Sequence, residues 1–363
     1  MSKSDASNAR SPRSPRRYAR RVRVAAGFAV LLSVVGYVAV RYETGGRGAP
    51  GCTVGSGGHT YHLTPEQAGN AATISAVGTS KGMPERAVTI ALATALQESA
   101  LRNIEYGDRD SLGLFQQRPS QGWGTERQIM DPVYSAGAFY DHLAKVPGYS
   151  RLPLTVAAQR VQRSGFPQAY AKHEPDAALL AAALTGRAPA SLTCTTLLGS
   201  KTGDVTQVRK ALARSFGTGV LGADGAEGTD GTDGAVEDGK GSAGGGSGTG
   251  GTGGTGGTES GSPAPDGSSA PRAADVVTVP VPAPVGSSGP EGAVGDTDDD
   301  GRGSRRGWEV AQWAVAQAET LRLTEVAYAG RVWSARLPAL GWREVPSGEE
   351  PAGTTDVVIR VAR

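Results

Sequence analysis

Residues 84–101 read PERAVTIALATALQESAL, a run without glycine behind an opening proline. Proline suits the first turn of a helix, where its fixed φ and missing N–H are tolerated. Apolar and small side chains recur at helical spacing, at Ala87, Ile90, Ala91, Ala95 and Leu101. The pattern predicts a helix with one buried face and a polar end formed by Gln97-Glu98-Ser99.

Glu98 lies on the inward-facing side of this predicted helix. It follows Thr94 by four residues and Ile90 by eight, and these spacings place side chains on one face. A carboxyl group on that face is partly removed from water, which raises its pKa. A glutamate that stays protonated near neutral pH can act as a general acid, so Glu98 is a candidate catalytic residue. The alternative interpretation is an exposed glutamate at a frayed helix end.

Further helix signals flank this segment. Thr64-Pro65-Glu66-Gln67 has the order of a capping box, with proline in the first turn. More segments with helix-starting residues follow at Asp131–Lys145, Pro153–Arg163, Pro175–Leu184 and Asp204–Phe216. Residues 60–200 therefore predict a mainly helical domain, interrupted by the polar stretch Asn103–Gln128. Residues 201–220 predict an extra helix.

The helix end resembles a known motif when it is read together with residues 111–124, SLGLFQQRPSQGWG. Lytic transglycosylases and goose-type lysozymes carry Glu-Ser at a helix end, followed by a Ser-x-x-Gly-Leu-Met-Gln-type turn. Gly113 and Gln116 match the glycine and glutamine of that turn, and Phe115 stands where methionine is common. The resemblance covers about residues 60–195 and implies a lysozyme-like fold.

The resemblance implies cleavage of the β-1,4 bond between N-acetylmuramic acid and N-acetylglucosamine in peptidoglycan, with Glu98 protonating the glycosidic oxygen. In a transglycosylase the substrate's own acetamido group and 6-hydroxyl replace water, so one carboxylate suffices. A hydrolase needs a second carboxylate as base or nucleophile. Asp108 and Asp110 are the candidates for that second group, and the alternative for each is a turn-forming aspartate beside Gly107.

The remaining candidate residues would contact the sugar chain or hold the catalytic glutamate. The predicted substrate-binding set is Ser99, Ser111, Gly113, Gln116, Gln117, Trp123, Tyr134 and Tyr170. The family's later Ala-Tyr-Asn-x-Gly motif is absent, and Gln168-Ala169-Tyr170-Ala171 is its nearest match. Tyr170 would bring a hydroxyl near the glutamate, whereas Trp123 and Tyr134 would stack on sugars or pack in the core.

The N-terminal region predicts a membrane anchor. Residues 1–23 carry eight cations and one acidic residue, and the 17 uncharged residues Val24–Val40 follow directly. As a helix this run spans about 26 Å, close to the hydrocarbon core of a bilayer. Positive flanks stay in the cytoplasm, so residues 41–59 would form an external stalk. A cleaved signal peptide and a nucleic-acid-binding tail are the alternatives.

Cys52 and Cys194 both lie on the predicted outer side, where disulfides persist. We expect them to pair and close a loop of about 140 residues, worth at most about 5 kcal/mol in the chain-entropy model. The four histidines are scattered and no Cys-x-x-Cys motif occurs, so the sequence implies no metal and no cofactor.

Residues 221–306 predict a disordered linker. They hold 25 of the 54 glycines, no aromatic residue, and 14 acidic against 5 basic side chains. Such a composition cannot bury enough apolar area to offset the entropy of ordering.

Residues 307–363 hold four of the five tryptophans, namely Trp308, Trp313, Trp333 and Trp342. The pattern predicts a small α+β module, with a helix at Trp308–Leu321, a hairpin at Glu325–Ser334 and a final strand at Asp356–Ala362. The tryptophans indicate a core, and we expect the module to bind a wall polymer or a protein.

Together these patterns predict a single-pass plasma-membrane protein with a cytoplasmic N-terminus and an external domain that cuts peptidoglycan. The expected partners are the glycan strands and the membrane, and no nucleic acid. Two alternatives remain: a non-catalytic peptidoglycan-binding protein with the same fold, and a scaffold or transport-accessory membrane protein.

Overall fold

The computed structural model describes residues 49–197, 201–222, 275–281, 304–345 and 355–363, together with Ser33. The predicted membrane span Val24–Val40 lies outside these residues, apart from Ser33. Within the described ranges, no helix is both long enough and apolar enough to cross a bilayer.

Seven α-helices occur between residues 49 and 222. They are α1 Pro65–Ser80, α2 Glu85–Ser99, α3 Glu126–Ile129, α4 Pro132–Ala144, α5 Leu154–Gln162, α6 Glu174–Leu184 and α7 Val205–Phe216. The predicted capping box is confirmed, because Thr64 Oγ1 accepts from the Gln67 N–H and Gln67 Oε1 accepts from the Thr64 N–H. The extra helix predicted at 201–220 is α7, capped by Asp204.

Helix α2 lies at the centre of the helical region. Every residue from Ala87 to Leu96 is buried, and the helix packs against α1 and α6. A helix that is apolar around most of its circumference belongs in a core. It ends at Ser99, two residues earlier than predicted, because Ala100 and Leu101 take left-handed backbone angles with φ of 53° and 60°. The chain therefore turns away directly after Glu98.

A small antiparallel sheet closes this region. Its strands are β1 Gly51–Ser56, β2 His59–Leu63 and β3 Leu192–Thr195, in the order β2-β1-β3. The predicted stalk at 41–59 is therefore wrong from Gly51 onward: Cys52 and Val54 alternate toward the core as a half-buried strand requires. Cys52 faces Cys194 across the β1–β3 ladder, and the two form the expected disulfide.

The C-terminal region is an α+β unit larger than predicted. Its elements are β4 Val276–Val279, α8 Arg305–Ala316, α9 Ala318–Leu321, β5 Leu323–Tyr328, β6 Arg331–Ser334, β7 Trp342–Glu344 and β8 Val357–Val361. The strands form one antiparallel sheet in the order β4-β8-β5-β6-β7. The predicted hairpin is confirmed, and Ala329 and Gly330 take positive φ at its turn.

Strand β4 corrects the predicted linker at 221–306. Val276–Val279 pairs with β8, and its side chains alternate, with Val277 and Val279 buried. A short Val-Val-Thr-Val segment has the β-branched residues that favour a strand. Because glycine dominates the composition of 221–306, that composition did not reveal this strand. The other described residues of the predicted linker are Asp275, Pro280 and Val281 beside β4, 221–222 at the end of a short 3₁₀ turn, and 304–306 at the start of α8.

Helix α8 joins the two regions into one packed body. It contacts α1, α6 and β3, and buried residues of both regions belong to one continuous hydrophobic cluster. Gln312 is fully buried, donating to Ala183 O at 2.7 Å and accepting from the Ser191 and Leu192 N–H groups at 3.0 Å. Trp308, Trp313 and Trp333 are buried. The helical region packs against them and completes the core of the C-terminal region.

Candidate functional site

Glu98 lies at the C-terminal end of α2 with its carboxyl group partly buried. The Tyr170 hydroxyl donates a hydrogen bond to Glu98 Oε1 at 2.6 Å. Burial raises the pKa of Glu98, and hydrogen bonds from Tyr170 and Gln162 oppose part of that rise. The net effect favours the protonated acid, which is the form that can donate a proton.

The turn between Leu112 and Gln117 packs against this helix end. Leu112 and Gln117 form an isolated antiparallel bridge, with paired backbone hydrogen bonds of 2.9 and 3.0 Å. Ser99 Oγ donates to Leu114 O at 2.8 Å, and Gln162 Nε2 donates to Phe115 O at 2.7 Å. Two side chains next to Glu98 thus hold the turn in place, and the two halves of the sequence motif meet as predicted.

Two glycines make this turn compact. Gly113 has φ of +73°, and a Cβ there would come within 2.8 Å of Ile129 O. At Gly107 a Cβ would come within 2.8 Å of the Ser111 carbonyl oxygen. Both positions exclude a larger residue, the first through backbone conformation and the second through space.

The predicted glutamines and serines of the turn serve mostly to hold it. Gln116 Nε2 donates to the Tyr106 and Gly113 carbonyls at 3.3 Å. Gln117 is buried and donates to Ser135 O at 3.0 Å. Ser111 is also buried, and its N–H donates to Asp108 O at 3.1 Å.

The two candidate second carboxylates differ in their surroundings. Asp110 accepts from Arg118 Nε at 2.8 Å on one oxygen and from the Ser120 N–H at 2.8 Å on the other. Hydrogen bonds from Ser120 and Arg118 hold the pKa of Asp110 well below its usual range. Asp108 lies exposed in the preceding turn, where Arg109 takes a φ of 58°. Asp110 therefore braces the loop, as the turn-forming alternative predicts.

The predicted aromatic residues differ in their contacts, and Tyr170 is the one that hydrogen-bonds to the glutamate. Tyr170 is fully buried on the 3₁₀ segment Pro167–His173 and reaches Glu98 directly. Trp123 is partly buried and stacks on His142, with ring centroids 4.2 Å apart and planes inclined by 24°. Tyr134 is 37% exposed and lies against Gly124, where a Cβ would come 2.8 Å from its hydroxyl.

A polar pocket of about 260 Å³ lies beside the turn. Gln162, which holds the turn and hydrogen-bonds toward Glu98, is one of its walls. The other lining residues include Arg118, Trp123, His142, Arg160 and Arg163. None of the three arginines was predicted from the sequence: Arg118 lies in the motif itself, whereas no local motif links Arg160 and Arg163 to the Gly113 turn. Arg163 is the left-handed C-cap that follows α5, so helical spacing does not place it beside Arg160, and the sequence offers no signal for this pair.

Metal binding has no support in the described ranges, where no three His, Cys, Asp or Glu side chains form a group that could hold an ion.

Comparison with known proteins bears on the other end of the chain. Residues 272–355 match the family described as VldE, C-terminal domain. This match covers β4 to β7 and includes α8 and α9. No curated protein matches the chain. The matched residues are a minority of the 363 and do not include the Glu98 site.

Proposed function

We propose that the chain is a peptidoglycan glycan-strand-cleaving enzyme of the lytic transglycosylase type, with Glu98 as its single general acid and base. The observation that carries the proposal is the partly buried carboxyl group of Glu98, which has a raised pKa and accepts a hydrogen bond from Tyr170. The neighbouring Ser99 hydrogen-bonds to the compact glycine turn, and Gln162 joins that turn to an open polar pocket, which supports the same assignment.

In this mechanism the protonated Glu98 gives its proton to the glycosidic oxygen as the bond to the anomeric carbon breaks. The acetamido oxygen of the same sugar stabilises the positive charge that develops there. The 6-hydroxyl then bonds to the anomeric carbon and loses its proton to the Glu98 carboxylate, which restores the acid and forms a 1,6-anhydro end. Tyr170 holds the carboxyl oriented through both steps.

The transglycosylase route is favoured over the hydrolase route by the state of Asp110. Both oxygens of its carboxylate accept hydrogen bonds, and its lowered pKa makes it a weak base. A group in this state is poorly suited to activate water. The other candidate, Asp108, lies in an exposed turn, so a mechanism with one working carboxylate agrees better with these surroundings.

The test is digestion of purified peptidoglycan by the full-length protein, with the released muropeptides identified by mass spectrometry. We expect anhydro-ended products from the wild type and a loss of about 10²–10⁴ in rate for Glu98→Gln. Glu105→Gln, the same change at an exposed glutamate of the following loop, serves as the control and should keep full activity.

Equal release by the wild type and by Glu98→Gln would overturn the enzyme proposal and favour a non-catalytic wall-binding or scaffold role. Products with reducing ends would replace the transglycosylase with a hydrolase. The Glu105→Gln control shows whether loss of any negative charge near this loop would by itself reduce the activity.

We further propose that Val24–Val40 anchors the chain in the plasma membrane with the catalytic region outside. The disulfide between Cys52 and Cys194 supports this side, because disulfides persist in oxidising compartments. Protease added to intact protoplasts should degrade the region after residue 49. Protection of that region from protease would refute the topology.

A further inference from the structure

The pocket beside Gln162 has a one-sided charge distribution. Three arginines line it, Arg118, Arg160 and Arg163, and its described lining contains no acidic residue. Arg118 is paired with Asp110 at 2.8 Å, which largely cancels its charge. Among the described residues, Arg160 and Arg163 make no ion pair, and both are exposed. The pocket therefore carries an uncompensated positive charge from two guanidinium groups.

Arg163 is held toward the pocket by the end of α5. It is the C-cap residue of that helix, with φ of 52° and its N–H donating to Gln159 O at 2.8 Å. Glycine is the usual residue in this left-handed cap because an L side chain is strained there. Arg163 is also close enough to His142 on the opposite wall to contribute to the lowering of the His142 pKa, after burial and Lys145.

The size of the pocket suits one chemical group better than a whole substrate. A volume of about 260 Å³ is near the lower end of the roughly 300–1,000 Å³ of ligand sites. Guanidinium groups bind carboxylate and phosphate oxygens through paired hydrogen bonds. Trp123, stacked on His142, adds an aromatic wall next to these groups.

We propose that this pocket is a subsite for an anionic substituent of the glycan strand, a carboxylate or phosphate group that Arg160 and Arg163 bind while the strand lies against Glu98. The subsite rests on the proposed function, because Gln162 connects the pocket to Glu98 and the Gly113 turn. Two sources of the anion share this chemistry: the carboxylates of the stem peptide and the phosphodiesters of wall-linked polymers.

The test measures binding separately from cleavage. Full-length Glu98→Gln protein is pelleted with insoluble peptidoglycan, with and without the added substitutions Arg160→Gln and Arg163→Gly. The glycine relieves the strained cap while removing the guanidinium, so this change preserves the fold. The matched control, Lys201→Gln with Lys210→Gln, removes two exposed cations that do not line the pocket.

We expect the arginine substitutions to weaken binding about tenfold at low salt, and the control pair to leave it unchanged. The difference should shrink at 1 M salt, where the screening length falls to about 3 Å. If removal of wall phosphates by hydrofluoric acid abolishes the arginine effect, the anion is a phosphate. If conversion of the carboxylates to neutral amides with a carbodiimide and ethanolamine abolishes it, the anion is a carboxylate.

Equal binding by the arginine variant and the lysine control on untreated peptidoglycan would overturn the subsite, and so would an arginine effect that survives both treatments. Failure of the proposed function has a different signature: the wild type releases no muropeptides, whatever the arginines do to binding. The two proposals can therefore fail independently.

Discussion

Glu98 affects both the proposed reaction and the stability of the fold. Burial raises its pKa in the folded state, so folding favours the protonated form. The stability associated with this group is fully present below the unfolded pKa and is lost as the pH rises through the folded pKa. Deprotonation of Glu98 as the pH rises therefore acts against the fold.

Glu98→Gln should consequently raise the melting temperature at neutral pH and leave it nearly unchanged at acidic pH. Glutamine keeps an oxygen that accepts from Tyr170, but it has no charge to bury. The measurement is thermal unfolding followed by circular dichroism at several pH values between 4 and 8. A stability difference that is constant over this range would contradict the assigned pKa direction.

Asp110→Asn provides the contrast of opposite sign. Hydrogen bonds from Ser120 and Arg118 lower the pKa of Asp110, so its stabilising effect is present above the unfolded pKa and is lost as the pH falls. The asparagine variant should melt lower than the wild type at neutral pH, and the gap should close toward acidic pH. The two variants together separate a buried acid from an ion-paired one.

Tyr170→Phe should shift the activity profile as well as reduce activity. The Tyr170 hydrogen bond lowers the pKa of Glu98, and phenylalanine fills the same buried space without the hydroxyl. Loss of the donor raises the Glu98 pKa further, so the alkaline limb of kcat/KM should move to higher pH. The measurement is peptidoglycan digestion over a pH series.

A merely structural role for Tyr170 would lower kcat/KM at every pH without shifting the alkaline limb of the pH profile. That outcome would remove Tyr170 from the site as a positioning residue for Glu98. Tyr149→Phe, on a partly buried tyrosine elsewhere, is the matched control.

Most residues found from the sequence sit in local motifs, whereas Tyr170, 72 residues from Glu98, was found through the family resemblance. Glu98, Ser99 and Gly113 belong to one helix end and one turn, and their contacts follow from short-range geometry. Gln162 and Arg163 come from a different helix, whose approach to the turn depends on tertiary packing. No spacing in the sequence encodes that approach.

Helix starts and the local hairpin of β5 and β6 were predictable from the sequence, and strand partners far apart in the sequence were not. Proline and capping residues mark the beginnings of α1 and α4, and these signals act within a few residues. Strands β1 and β3 are short and pair across a sequence separation of 142 residues at the disulfide. Strand β4 lies within a glycine-rich composition that masks its four strand-forming residues.

Helix α8 carries the strongest element-scale prediction, at Gln312. Its buried amide oxygen accepts from the Ser191 and Leu192 N–H groups, and both would lose this partner in Gln312→Ala. Unpaired buried groups are costly, so we expect a loss of about 2–3 kcal/mol in the free energy of unfolding. Denaturant titration measures it.

The matched control is Gln207→Ala, an exposed glutamine on α7, which should change stability by less than about 0.5 kcal/mol. A Gln312→Ala variant as stable as this control would mean that water replaces the amide in the interface. In that case Gln312 would not fasten α8 to the helical region.

At the scale of the whole molecule, composition suggested two separate external units, whereas the packing joins them. The glycine excess divides the sequence correctly into aromatic-rich and aromatic-free parts. It carries no information about whether the parts touch, because contact depends on the matching faces of α8, α1 and α6. The small C-terminal region gains its core from that contact, which a count of its own residues underestimates.

The shared core predicts one cooperative unfolding transition for the described regions. Four of the five tryptophans lie in the C-terminal region, so the substitution Trp123→Phe leaves fluorescence as a probe of that region alone. Circular dichroism at 222 nm reports mainly on the helices around α2. Since buried residues of both regions form one cluster, the two signals should change at the same denaturant concentration.

Gln312→Ala weakens the contact between α8 and the helical region. It should be the first variant in which the unfolding midpoints of the two signals separate. Separate midpoints in the Trp123→Phe protein itself would instead show that the C-terminal region folds independently and that α8 contributes little to the stability of the Glu98 site.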